Sequence, residues 1–105
     1  MEQQTTMPES FHQLIQSHTP VLVDFYADWC GPCKAMNPVI KAVAKAVDGK
    51  ARIIKVDIDK SVKAAQVYNV QAVPTFIVFK KGSIIWRHSG MIDKNSLLSV
   101  LSQNS

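Results

Sequence analysis

The chain has 105 residues, of which 47% are apolar and 19% charged, and its formal net charge at pH 7 is +4. This length fits one domain spanning residues 1–105, and no apolar run approaches the ~20 residues that cross a bilayer, so no membrane-spanning segment is expected. Nucleic-acid binding is not expected either, because the lysines are spread over the whole chain and form no basic run with interleaved aromatics.

The first half of the chain predicts helices alternating with strands. Apolar spacing and strand-forming runs indicate, in chain order, a helix over Pro8–Ser17, a strand over Val21–Tyr26, a helix from Pro32 to Asp48-Gly49, a strand over Arg52–Asp57 and a short helix over Ser61–Tyr68. Pro38 lies inside the long helix and is expected to kink it.

The second half predicts a hairpin followed by a helix. The run Phe76–Phe79 lacks alternation, which indicates a strand buried on both faces. A tight turn at Lys81-Gly82 leads to an antiparallel partner over Ser83–Ser89. The last helix has Asp93 as its N-cap, and its apolar face consists of Leu97, Leu98 and Leu101. This order of elements indicates a mixed sheet with helices on both faces.

The only two cysteines stand three positions apart, in the sequence Trp29-Cys30-Gly31-Pro32-Cys33, between a predicted strand and a predicted helix. Residues at i and i+3 share one face of a helix, so the two sulfurs can form or open a disulfide. The positive end of the helix dipole favours a thiolate on the first cysteine. The spacing therefore predicts a redox pair.

A pair of buried apolar thiols, a static disulfide and a metal site are the alternatives for such a pair. A bridge over two intervening residues closes a very short loop, so it would stabilise the fold little. A zinc site needs four ligands, and the histidines at 12, 18 and 88 are too scattered to complete one. We therefore expect no metal.

Seven short pieces of sequence carry a resemblance to a known family. They are Asp24-Phe25, Ala27-x-Trp29-Cys30-Gly31-Pro32-Cys33-Lys34, Pro38, Lys55-Val56-Asp57, Val73-Pro74-Thr75, Lys81-Gly82 and Gly90. In this order and spacing they resemble the thioredoxin family over nearly the whole chain. The resemblance implies an α/β fold: a central mixed five-stranded sheet in the order 1-3-2-4-5, its last two strands antiparallel, flanked by four helices. The first strand would fall near Gln3–Met7.

The resemblance also implies a protein-disulfide reductase that works by dithiol–disulfide exchange. Cys30, at the exposed helix N-terminus, would attack the target disulfide, and Cys33, one turn deeper, would resolve the mixed disulfide. Asp24, with apolar flanks, would have a raised pKa and would take the Cys33 proton. Lys55 on the neighbouring strand would moderate that rise. A carboxylate that faces water from a strand edge is the alternative for Asp24.

An apolar rim around the cysteines would bind substrate, as the resemblance implies. Its members are Trp29, Gly31, Pro32, Ala72, Gly90 and Met91. The bond from Val73 to Pro74 would be cis, and the Val73 backbone would pair with an extended substrate segment like an added strand. Exposed apolar surface beside a reactive sulfur suits a site that accepts many protein disulfides.

Three residues depart from the family pattern. Tyr26 stands where many relatives carry a second tryptophan, so its contacts with the active-site loop are expected to differ. Ala72 replaces a frequent glycine and is expected to narrow the substrate groove slightly. Trp86 is not part of the pattern and is expected to be a packed or half-exposed strand aromatic.

The direction of electron flow follows from the pair between the cysteines. Gly31-Pro32 resembles the reducing members of the superfamily, whereas oxidants and isomerases usually carry a histidine there. A neutral pair adds no stabilisation of the thiolate beyond that of the helix end.

The chain holds no flavin or nucleotide motif, so we expect no cofactor and a separate electron donor, a thioredoxin reductase that uses flavin and NADPH. Disulfide-containing proteins are the expected substrates, and the chain is expected to act as a monomer.

The N-terminal residues 1–7 lack the basic start and apolar stretch of a signal peptide. A free dithiol without such a signal fits the reducing cytoplasm, where we expect the protein.

Two other classes of function stay open. The chain can be a redox-independent binding subunit whose rim docks a partner enzyme, or a periplasmic electron donor to a dedicated partner whose leader has been removed.

Overall fold

The structure is a computed structural model that describes residues 11–105. Its elements in chain order are β1 (Val21–Tyr26), α1 (Gly31–Val47), β2 (Arg52–Asp57), α2 (Val62–Val67), β3 (Thr75–Lys80), β4 (Ser83–Ser89) and α3 (Lys94–Gln103). These bounds confirm the elements predicted beyond the first helix, and they differ from the prediction only at the ends. No helix in residues 11–105 is long and apolar enough to cross a membrane.

The four strands form one mixed sheet in the order β2-β1-β3-β4. Strand β1 runs parallel to β2 and antiparallel to β3, and β3 and β4 form an antiparallel hairpin. This order corresponds to the positions 3-2-4-5 of the predicted sheet. The predicted first strand, near Gln3–Met7, lies outside the described residues.

The first predicted helix is shorter at its C-terminal end than expected. The chain is helical over residues 11–14 and then turns, so the helix does not reach Ser17. The carbonyl oxygens of Ile15 and Ser17 instead accept hydrogen bonds from the N–H groups of Gly82 and Lys81, at 2.8 and 2.9 Å. The β3–β4 turn therefore fixes this segment, a contact that sequence periodicity does not encode. The predicted start at Pro8 lies outside the described residues.

Side chains on both faces of strand β1 pack in the hydrophobic core. The residues Val21, Val23 and Phe25 pack in one cluster with Phe11, Ile15, Ile77 and Phe79. The alternate residue Leu22 packs in a second cluster with Met36, Ile40 and Val43 of α1 and with Leu97 of α3. Because side chains alternate along a strand, Asp24 lies on the same face as Leu22, which α1 covers. The predicted buried stripe of the long helix is confirmed by the same contacts.

Capping side chains and backbone set the ends of the two longer helices. The Asp93 carboxylate accepts the N–H of Ser96 at 3.1 Å and so forms the predicted N-cap of α3. The hydrogen bonds from Ser96 hold the pKa of Asp93 below its ordinary value. Helix α1 ends at Val47, and the predicted end residue Asp48 is its C-cap. The Asp48 backbone is left-handed, with φ 47°, and its N–H donates to Ala44 O.

Candidate active site

The two cysteines form a disulfide at the N-terminus of α1. Cys30 is the N-cap residue, with an extended backbone, and its Sγ accepts a hydrogen bond from the N–H of Cys33 at 3.1 Å. The first turn of α1, all of which is described, holds no acidic residue. The positive end of the helix dipole therefore lies at the Cys30 sulfur, where it stabilises negative charge.

Both cysteines are buried, with an exposed fraction of only 4% each. The expectation that Cys30 is exposed is therefore wrong for this disulfide form. The Cys30 sulfur is turned inward, toward the Cys33 N–H, and both sulfurs pack with Ala27 in a small cluster that Tyr26 and Val73 cover. The neighbours Gly31 and Pro32 are exposed, so the turn between the cysteines is open to solvent.

Asp24 lies under α1, between two neighbouring strands. Its register partners are Lys55 on β2 and Phe76 on β3, and only 1% of its surface is exposed. Within the described part of the chain its Oδ1 atom is buried without a hydrogen-bond partner. Burial raises the pKa of Asp24 to about 6, and the positive charge of Lys55 opposes that rise. The predicted burial and raised pKa are confirmed, and the alternative of a water-facing carboxylate is wrong.

The Lys55 ammonium is held between a helix and an aromatic ring. Its Nζ donates a hydrogen bond to Oδ1 of Asn37 on α1 at 2.7 Å. The same atom lies over the Tyr26 ring, 4.7 Å from the ring centroid. These three residues and Cys33 line one pocket of about 210 Å³. The pocket therefore joins the second cysteine to the cation that faces Asp24.

Sequence reasoning missed two residues that contact the predicted site. Asn37 is one, and its position four residues after Cys33 on the same helix face was a usable signal. Asp59 is the other, since its Oδ2 accepts the indole N–H of Trp29 at 2.9 Å. Asp59 follows the carboxyl end of β2, which lies beside the carboxyl end of the parallel strand β1, so the strand pairing could have suggested it.

The predicted rim contains two large exposed apolar side chains. Trp29 is 69% exposed and Met91 is 55% exposed. Ala72 is also exposed, and its carbonyl oxygen accepts the Thr75 hydroxyl at 2.6 Å. Met91 lines a shallow groove with Met36 of α1. Exposed apolar side chains of the predicted rim therefore occur both in the loop before α1 and in the loop after β4.

The segment before β3 connects the cysteines to the β4–α3 loop. The Val73–Pro74 peptide bond is cis, and Val73 packs against the cysteine cluster. The N–H of Gly90 donates to Pro74 O at 2.8 Å, which holds Gly90 beside this turn. Val73 lies outside the helices and strands. Within residues 11–105 its N–H and C=O form no backbone hydrogen bond.

The remaining departures from the family pattern have clear positions. Tyr26 is half-buried, packs against the cysteine cluster and lies under the Lys55 ammonium. Trp86 packs partly against the core and stacks on His88, with ring centroids 6.0 Å apart, so its predicted role as a half-exposed strand aromatic is confirmed.

In the part of the chain that the structure describes, no group of three or more His, Cys, Asp and Glu residues is placed to hold a metal ion.

Comparison with known proteins finds one family. The family model described as Thioredoxin matches residues 2–103. Thioredoxin from Chlamydia trachomatis is 43% identical over 101 residues, covering 96% of this chain and 97% of that protein. Thioredoxin Y, chloroplastic, from Oryza sativa subsp. japonica is 42% identical over 90 residues and covers 85% of this chain, which spans only 54% of that longer relative. The X-ray structure of Fasciola hepatica thioredoxin superposes with a TM-score of 0.84 at 33% identity, covering 93% of this chain and 94% of that one.

Proposed function

Because the chain belongs to the thioredoxin family and is a thiol–disulfide oxidoreductase, we propose that Cys30 is its attacking thiol and Cys33 its resolving thiol. The observation that carries this assignment is the position of the Cys30 sulfur at the N-cap of α1, where it accepts the Cys33 N–H. That hydrogen bond and the helix dipole both favour a thiolate on Cys30 once the disulfide is reduced.

The exchange has two steps. The Cys30 thiolate attacks one sulfur of a target disulfide, forms a mixed disulfide and releases the other target sulfur as a thiolate, which takes a proton. The Cys33 thiolate then attacks the Cys30 sulfur, forms the Cys30–Cys33 disulfide and releases the second target thiolate. Two electrons pass from the dithiol to the target, which leaves as two thiols, and the protein is left in the disulfide form.

Asp24 is the proposed base for the second step. Cys33 must lose its proton before it attacks, and a buried thiol resists ionisation. A carboxyl group with a pKa of about 6 accepts a proton more readily than an ordinary one, because its charged form is already disfavoured by burial. The buried Oδ1 atom, which has no partner in residues 11–105, supports this role. Lys55 tunes the same carboxyl group through its charge.

Substrate binding is assigned to the rim and to the turn before β3. The rim residues Trp29, Gly31, Pro32, Gly90 and Met91 would contact apolar side chains around a target cysteine. The N–H and C=O of Val73, next to Pro74, would pair with an extended target segment. This backbone pairing requires no particular target sequence, which suits a reductant with many protein substrates.

The partners follow from the chemistry of the cycle. A reductase must return two electrons to the Cys30–Cys33 disulfide after each turnover, and a flavin enzyme that uses NADPH is the proposed donor. The proposed compartment is the cytoplasm, where thiols are kept reduced, and the proposed acting form is the monomer. Cell fractionation and size-exclusion chromatography of the reduced protein test these two assignments.

Trapping of the mixed disulfide tests the assignment of the thiols. Reduced Cys33→Ser protein, mixed with insulin, is expected to accumulate an adduct at Cys30 that mass spectrometry detects and dithiothreitol releases. Reduced Cys30→Ser protein is the matched control and should form adducts far more slowly, because Cys33 lacks the N-cap position. Equal rates of adduct formation in the two variants would overturn the assignment.

A further inference from the structure

We propose that Asn37 and Tyr26 are positioning residues, which hold the Lys55 ammonium beside Asp24 and so set the protonation of that carboxyl group at neutral pH. Only the catalytic consequence of this inference rests on the proposed role of Asp24 as a base. The inference itself concerns where one cation is held and which contacts hold it.

The two contacts restrain a side chain that would otherwise be free to leave. Lys55 is exposed, and a lysine ammonium is a strongly hydrated charge on a flexible four-carbon stem. The hydrogen bond to Asn37 Oδ1, at 2.7 Å, gives the ammonium a fixed acceptor, and the Tyr26 ring supplies its electron-rich face at 4.7 Å. Together they keep the charge at the sheet surface instead of in bulk water.

The positions of the two holding residues suit this task. Asn37 lies one turn beyond Cys33 on α1, so a single helix face carries the resolving cysteine and the acceptor for Lys55. Tyr26 lies two residues after Asp24 on β1, on the same face of the sheet. Lys55 is directly opposite Asp24 in the strand register. The cation is therefore held over the face that Asp24 occupies.

Lys55 is the cation that lowers the pKa of Asp24 against the effect of burial. Two other charged residues, Lys34 on α1 and Asp28 in the loop after β1, line the same pocket. On β3, the residue opposite Asp24 is the apolar Phe76. Coulomb attraction falls with distance and is screened by water. An ammonium released into solvent would therefore stabilise the Asp24 carboxylate less, and the pKa of Asp24 would rise further.

A carboxyl carbon NMR titration of Asp24 in the disulfide form tests the inference. Asn37→Ala and Tyr26→Leu are each expected to raise the titration midpoint, by roughly half a pH unit. Tyr26→Phe, which keeps the ring, and Asn95→Ala, at an exposed position on α3, are the matched controls and should leave it unchanged. An unchanged or lowered midpoint in Asn37→Ala would overturn the inference.

A second background separates tethering from an indirect structural effect. Lys55→Met removes the charge, so adding Asn37→Ala to it should cause no further shift in the Asp24 midpoint. A shift of the same size with and without Lys55 would contradict the inference, because Asn37 would then act on Asp24 by another route. These titrations use the oxidised protein and need no turnover. The base role of Asp24 is decided separately, by the pH dependence of mixed-disulfide resolution.

Discussion

Asp24 and Lys55 face each other on adjacent parallel strands, yet the Lys55 ammonium donates its hydrogen bond to Asn37, at 2.7 Å. The Asp24 Oδ1 atom is buried with no partner among residues 11–105. The carboxyl group is thus influenced by a positive charge without being neutralised in a hydrogen-bonded ion pair. This relationship leaves its pKa at about 6, between the ordinary value of 3.8 and that of a fully isolated buried acid.

The buried carboxyl group should destabilise the fold at neutral pH. Its folded pKa of about 6 exceeds the ordinary value of 3.8, so the folded state binds the Asp24 proton more tightly than the unfolded state does. The stability that this proton contributes is fully present below pH 3.8 and is lost as the pH rises through 6. Asn cannot ionise, so the difference in unfolding free energy between Asp24→Asn and the wild type should grow by about 3 kcal/mol across this range, in favour of the variant. Guanidinium denaturation of the wild type and of Asp24→Asn, both with the disulfide intact, measures this difference.

The comparison of two proteins at each pH removes the contribution of the other titrating groups. Lys55→Met should enlarge the pH-dependent gap in unfolding free energy between the protein with Asp24 and its Asp24→Asn variant, because the opposing charge is gone. Asp24→Asn in the Lys55→Met background is therefore the informative second pair. A gap that stays constant between about pH 3.5 and 7.5 would show that Asp24 does not titrate abnormally.

The burial of Asp24 could be predicted because its strand neighbours are apolar on both sides, and apolar flanks indicate a buried strand. The contact between Lys55 and Asn37 could not, since it depends on how α1 crosses the sheet, and hydrophobic periodicity sets the face of a helix but not the residue above a given strand. The inward turn of the Cys30 sulfur was missed for a similar reason. The N-cap position follows from the motif, whereas the side-chain direction follows from packing.

The hydrogen bond between Trp29 and Asp59 should order the exposed indole for substrate contact. Its length is 2.9 Å, and both residues are exposed, so its net value is about 1 kcal/mol. Asp59→Ala should therefore raise KM for insulin reduction by roughly fivefold, with little change in kcat. Asp59→Asn keeps an acceptor oxygen and should retain most of the affinity. A KM that is the same in all three proteins would contradict this role.

The backbone at Gly90 should not tolerate a side chain. Its φ is +98°, and its N–H donates to Pro74 O, so the residue cannot relax without breaking the contact with the turn before β3. Gly90→Ala should lower the free energy of unfolding by about 1–2 kcal/mol. Gly31→Ala is the matched comparison for stability, because a Cβ meets nothing within 4 Å at either glycine and, of the two, Gly90 alone has a positive φ. Equal losses in thermal or denaturant unfolding would refute the distinction.

The long-range contact at Gly90 also marks a limit of sequence reasoning. The glycine was identified through a motif, but its hydrogen bond to Pro74 depends on the register of β3 against β4, in which Thr75 pairs with Ser89. Register is set by the turn and by packing across the hairpin, so no local pattern contains it. The same holds for the first helix, whose end is set by a turn far away in the chain.

The most direct test of the central claim is a redox titration of the Cys30–Cys33 pair against dithiothreitol, read by thiol alkylation and mass spectrometry. A protein-disulfide reductant with Gly31-Pro32 between its cysteines should have a potential near that of thioredoxins generally, about −270 mV. A value above roughly −200 mV would contradict the account, because the pair would then act as an isomerase or an oxidant.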